Sequence, residues 1–89
     1  MGYVVATTEW VSVVETTSYL ASAELLMTED ERTAVVEAVA RSPQAGDLMP
    51  GTGGLRKLCV ALQGRGKRGG GRVVTFFHDF GMPVFLIAL

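Results

Sequence analysis

The sequence predicts an α+β domain of order β-α-α-β-β-β, with two N-terminal helices packed on one face of an antiparallel sheet. Three observations lead there. Apolar residues recur at helical spacing from about Ser18 to Val39, and after "PGTGG" the apolar period shortens to two. The last three apolar runs then follow one another over short links, which favours antiparallel pairing.

Each element has its own signal. "EWVSVVETT" is rich in Val and Thr, so Trp10 to Glu15 reads as a strand. Residues 1–9 before it carry little signal and are expected to fray. Leu20, Ala23, Leu26 and Met27 mark the first helix. "TEDE" begins the second: Thr28 can cap the free amides and Glu31 completes a capping box. Glu29, Asp30 and Glu31 suit the positive end of that helix's dipole, and Val35, Val36 and Val39 form its apolar stripe. "SPQAGD" ends it, because Pro43 cannot continue a helix and disfavours a helical Ser42. Leu58 and Val60 then alternate with Lys57 and Cys59, giving a strand from Arg56 to Leu62. "RVVTFFHD" is the next strand, "FGMP" a turn and "VFLIAL" the last strand. That terminal strand is expected to leave backbone groups and Leu86 or Leu89 open to a partner, so that the chain self-associates or needs a partner protein for solubility.

The 89 residues form one domain, and an apolar fraction of 48% excludes a disordered chain. The longest purely apolar run, Val84 to Leu89, is far too short to span a bilayer. No basic segment precedes an apolar run at the N-terminus, and Cys59 is the single cysteine, so the chain reads as soluble and cytoplasmic. The net charge of −1 conceals a division. Residues 1–47 hold Arg32 and Arg41 against eight acids, a balance of −6; residues 48–89 hold six bases against Asp79, a balance of +5. A segregated basic half suits an anionic partner, although one solvated basic loop accounts for the same numbers.

The bases of that half, Arg56, Lys57, Arg65, Lys67, Arg68 and Arg72, lie among glycines. Gly64, Gly66 and Gly69 spell G-x-G-x-x-G, but a Val-rich strand follows where the dinucleotide fingerprint needs a helix. "GRGKR" fails as a P-loop, since Ala61 replaces its first glycine and Arg68 its Ser or Thr. A backbone clamp fits better: glycine lets the main chain approach a sugar-phosphate chain while Arg65, Lys67 and Arg68 neutralise phosphates. A solubilising hairpin tip is the plainer alternative. Arg56, Lys57 and Arg72 occupy strand positions instead. Lys57 and Arg72 can share one sheet face, where fixed cations suit the charge that develops in phosphoryl transfer; charges that discourage strand-edge aggregation are the alternative. His78 in "HDFG" reads as a turn residue before a general base, and Cys59 as packing before a reactive thiol. One His and one Cys cannot build a zinc site.

"VVET", "LLMTEDER", "SPQAGDLMPGTGGLRKL", "GRGKRGGGRVV" and "FHDFGMPVFLIAL" together resemble the bacterial RelE/HigB toxins of type II toxin–antitoxin modules, from about Val13 to Leu89. The resemblance implies a compact toxin that enters the ribosomal A site and cuts mRNA without metal or other cofactor. The ribose 2′-hydroxyl attacks the adjacent phosphate, giving a cyclic phosphate and a free 5′-hydroxyl. By position, Lys57 and Arg72 match the family's catalytic sheet cations. Arg65, Lys67 and Arg68 match its RNA-binding loop, with Arg56 beside them. The implied partners are the ribosome, mRNA and a cognate antitoxin, with no membrane and with a homodimer left open.

Three departures temper the expected activity. Cys59 stands where many relatives have another base, and Thr75 and Phe76 where relatives often have tyrosines. The chain ends at "FLIAL", where relatives usually continue with a Lys-containing segment and a C-terminal helix. Weak cutting or none is therefore expected. The alternatives are a non-catalytic remnant that binds antitoxin or ribosome, and a ParE-like inhibitor of DNA gyrase.

Overall fold

A computed structural model describes residues 10–62 and 69–89. The domain is α+β, with two helices and a five-stranded mixed sheet. In chain order the elements are β1 (Val13–Glu15), α1 (Thr17–Leu26), α2 (Glu29–Arg41), β2 (Asp47–Leu48), β3 (Leu55–Leu62), β4 (Gly69–Phe76) and β5 (Val84–Ala88). The strands lie in the order β1-β5-β4-β3-β2.

Local chemistry sets the helix ends. Thr16 caps α1: its hydroxyl accepts from the Tyr19 amide (3.3 Å) and donates to the Leu86 carbonyl (2.7 Å), tying the helix start to β5. The capping box of α2 forms as expected, with the Glu31 amide donating to Thr28 Oγ1 (3.1 Å) and the Thr28 amide to Glu31 Oε1 (2.9 Å). The helix stops at Arg41 with Ser42 as its cap, one residue before Pro43. The first strand is shorter than its Val and Thr content suggests. Trp10 lies outside it, under the Arg41 guanidinium, whose carbon sits 4.8 Å from the ring centre.

The sheet corrects two expectations. It is mixed, not antiparallel: β1 runs parallel to β5, with Val13 beside Val84 and Glu15 beside Leu86. The helical pair between β1 and the later strands acts as the crossover that a parallel pairing needs. The terminal strand is also no open edge. β5 is hydrogen-bonded between β1 and β4, Leu86 is fully buried, and Leu89 packs against the core. Among the described residues the edges belong to the three-residue β1 and the two-residue β2, the second of which had no sequence signal. Such short edges offer little template for strand addition.

Both helices pack on one face of the sheet. Tyr19, Ala23 and Met27 of α1 and its end meet Val35 and Val39 of α2, and Leu62, Val73, Val84 and Leu86 from the sheet, in one buried cluster. Burial pushes the Tyr19 hydroxyl above its ordinary pKa; the negative charge of Glu15 adds to this and Arg32 opposes it. Among the described residues no helix is long and apolar enough to cross a membrane.

Among the described residues, the Thr75 hydroxyl is buried in the core without a partner. Thr75 is 1% exposed, and its hydroxyl oxygen makes no hydrogen bond. Thr75→Val keeps the shape and removes the buried polar atom. It should raise stability by about 1 kcal/mol, read as a higher urea midpoint at unchanged slope. A lower midpoint would show that the hydroxyl is paired in solution.

Candidate nucleic-acid interface

The antiparallel pairing of β3 with β4 decides which basic side chains share a face. Lys57 lies opposite Val74 and Cys59 opposite Arg72. Directly paired residues project to the same side, as do residues two apart in one strand. Lys57, Cys59 and Arg72 therefore share one face, and all three are exposed. It is the face away from the helices, since the residues between them, Leu58 and Val73, belong to the core. Lys57 and Arg72 thus stand near one another on rigid, paired strands.

Arg56 goes the other way. It is paired with Thr75 and Leu48, and projects to the opposite side of β3 from Lys57. There it lines a hollow of about 280 Å³ with Met49, Phe77 and His78, and its Nη1 donates to the Phe77 carbonyl at 3.5 Å. Arg65, Lys67 and Arg68, assigned above to a phosphate clamp, lie outside the described residues. Of the basic residues singled out in the sequence, the structure brings Lys57 and Arg72 together and sets Arg56 apart from them.

His78 is an exposed turn residue with a defined job. Its Nδ1 is 3.1 Å from the Gly53 carbonyl, so that nitrogen carries the proton and donates. Nε2 faces the Asp79 carboxylate at 3.8 Å. The contact ties the turn after β4 to the Gly-rich loop before β3. That loop is braced internally: the Thr52 hydroxyl donates to the Met49 carbonyl (2.6 Å) and accepts from the Leu55 amide (3.0 Å). His78 and Arg56 line the same hollow, an imidazole beside a guanidinium, but on the other side of the sheet from Lys57.

Cys59 is not a packing residue, as a lone strand cysteine usually is; it is exposed on the face of Lys57, directly across from Arg72. Sequence reasoning also passed over Asp47, which pairs with Lys57 across β2 and β3 and so places one carboxylate on the cationic face. The two-residue β2 that carries it is too short for any periodic signal.

The charge division of the sequence is carried only in part into space, since Asp47 lies beside Lys57 and Arg56 on the helix side. Glu15, Glu29 and Glu37 line a hollow of about 510 Å³ with Arg32, Thr33 and Val36, on the helix side. Arg32 Nη2 reaches Glu15 Oε2 at 3.5 Å. Lys57 and Arg72 hold the far side. A scan against models of known protein families finds none that matches this chain.

Proposed function

We propose that this protein is a toxin of the RelE/HigB kind, which takes mRNA onto the helix-free face of its sheet and cuts it in the ribosomal A site, with a cognate antitoxin covering that face. The observation that carries the reading is the placement of Lys57 and Arg72 on neighbouring, paired strands, facing away from both helices and from the acidic hollow. Two fixed cations can neutralise the charge that builds on the non-bridging oxygens of a phosphate under attack. In that reaction the ribose 2′-oxygen bonds to phosphorus and the bond to the 5′-oxygen breaks. The 2′-proton passes to a base, and the departing 5′-oxygen gains a proton. The products are a cyclic phosphate and a 5′-hydroxyl.

A second reading is favoured by one observation. Asp47 stands opposite Lys57, and Arg56 is turned to the other side, so the described part of the face carries only two cations beside one carboxylate. That is enough to hold an anionic chain and little for catalysis, which favours binding without cutting.

Translating ribosomes separate the readings. With purified protein added, primer extension should show new mRNA ends at A-site codons, and the downstream fragments should accept a 5′-phosphate from a kinase without prior phosphatase. Ribosome binding with intact mRNA would select the non-catalytic reading. Intact mRNA together with inhibited DNA gyrase supercoiling would select the ParE-like one.

A further inference from the structure

The cationic face is also aromatic. Phe76 of β4 pairs with Phe85 of β5, and their ring centres lie 6.5 Å apart at a tilt of 49°. Phe76 also pairs with Leu55, two residues from Lys57 on β3. Phe76, Phe85, Lys57 and Arg72 therefore project from the same side of the sheet. The neighbours of Phe85 in β5, Val84 and Leu86, are fully buried beneath the helices, whereas both phenylalanines are only half-buried. The two rings sit side by side on the side of the sheet away from the helices, each with part of its surface open, and the loop at Gly54 flanks the Phe76 ring. Lys57 is the diagonal neighbour of Phe76, roughly 7–8 Å away between backbones. Arg72 lies four residues from Phe76 along β4, about 13 Å.

We propose that Phe76 and Phe85 form a stacking platform for the bases of single-stranded RNA, whose phosphates run over Lys57 and Arg72. The proposal rests on the RNA-binding reading above and specifies how that face holds its substrate. Aromatic rings beside a cationic track are what single-stranded nucleic acid requires, because every base offers a π-face and every linkage a charge. The charges on the face match this occupant. Among the described strand residues of this face the one carboxylate, Asp47, lies on β2 at the sheet edge remote from Phe85, so the charge next to the rings is the cation Lys57. The platform is indifferent to base identity, as stacking without edge contacts must be.

The test measures bases and phosphates separately. Fluorescence anisotropy of the full chain is compared for a 5′-fluorescein-labelled adenosine octamer and an abasic octamer of equal charge. The wild type should bind the adenosine octamer at least about tenfold more tightly, a modest share of what two stacked bases can contribute. Phe76→Leu with Phe85→Leu should shrink that preference below about twofold and leave the salt dependence unchanged. Phe85→Tyr, which keeps a π-face and disturbs packing little, should retain the preference. A preference that survives both leucines, or its loss in the tyrosine variant, would overturn the platform. Equal binding of the two octamers by the wild type would also overturn it, while leaving phosphate binding and the toxin reading standing. Failure to bind either octamer would count against both.

Discussion

Replacing Lys57 and Arg72 together with alanine should lower mRNA cutting on translating ribosomes by at least about a hundredfold, the loss typical of removing one pre-placed donor to a developing oxyanion. Each single change should give most of that loss if the two cations act on one phosphate as proposed, because groups that act as a unit are not additive. Folding should barely change. Both side chains are exposed, and neither forms an ion pair within 4 Å among the described residues. Exposed charges contribute roughly 0–1 kcal/mol at most. Arg56→Ala is the control: Arg56 projects to the opposite side of β3, so cutting should fall by less than about threefold, well under 1 kcal/mol of barrier. The measurement is the rate of appearance of 3′-fragments in a reconstituted translation reaction, with circular dichroism on each variant. Loss of cutting in Arg56→Ala with none in the double variant would move the chemistry to the hollow that Arg56 shares with His78.

The contrast between Arg56 and Lys57 shows what was readable before any coordinates. Strand alternation is a local rule, so the shared side of Lys57 and Cys59 follows from period two once the strand is recognised, whereas Arg72 joins them only through the register of β3 with β4. The capping box at Thr28 and Glu31 is likewise local, and it formed as written. What escaped the sequence depends on residues far apart. The parallel pairing of β1 with β5 joins Val13 to Val84, across nearly the whole chain, and no window of a dozen residues contains it. The burial of Leu86 follows from that pairing and was misjudged with it. Asp47 was invisible as a neighbour of Lys57 because a two-residue strand has no period. Phe76 stood out only as a departure from the resembled family and Phe85 not at all, until the register set them side by side on the helix-free face.

Gly54→Ala should destabilise the domain by about 2–4 kcal/mol, a large part of the 5–15 kcal/mol that holds a typical domain folded. Two independent terms add. Gly54 has φ of +145°, which a side-chain-bearing residue rarely adopts. A Cβ placed there would lie 2.5 Å from the Phe77 carbonyl oxygen and 3.0 Å from its carbon. The obstacle is backbone, which cannot swing aside like a side-chain tip. Moving it would strain the bond from the Phe77 amide to the Gly54 carbonyl (3.0 Å), and Phe77 is 2% exposed in the core. Gly51→Ala isolates the second term. Gly51 also has positive φ, at 76°, but a Cβ there meets nothing within 4 Å. Its variant should therefore lose only the conformational part, about 1 kcal/mol. The difference between the two urea midpoints, multiplied by a common slope, measures the clash with Phe77. The glycines of "PGTGG" then divide by role: Gly51 serves the turn, whereas Gly54 lets the loop approach the end of β4 closely enough for His78 to reach Gly53. If the two variants lose equal stability, the close approach of Gly54 to Phe77 relaxes at no cost, and backbone conformation alone accounts for both glycines.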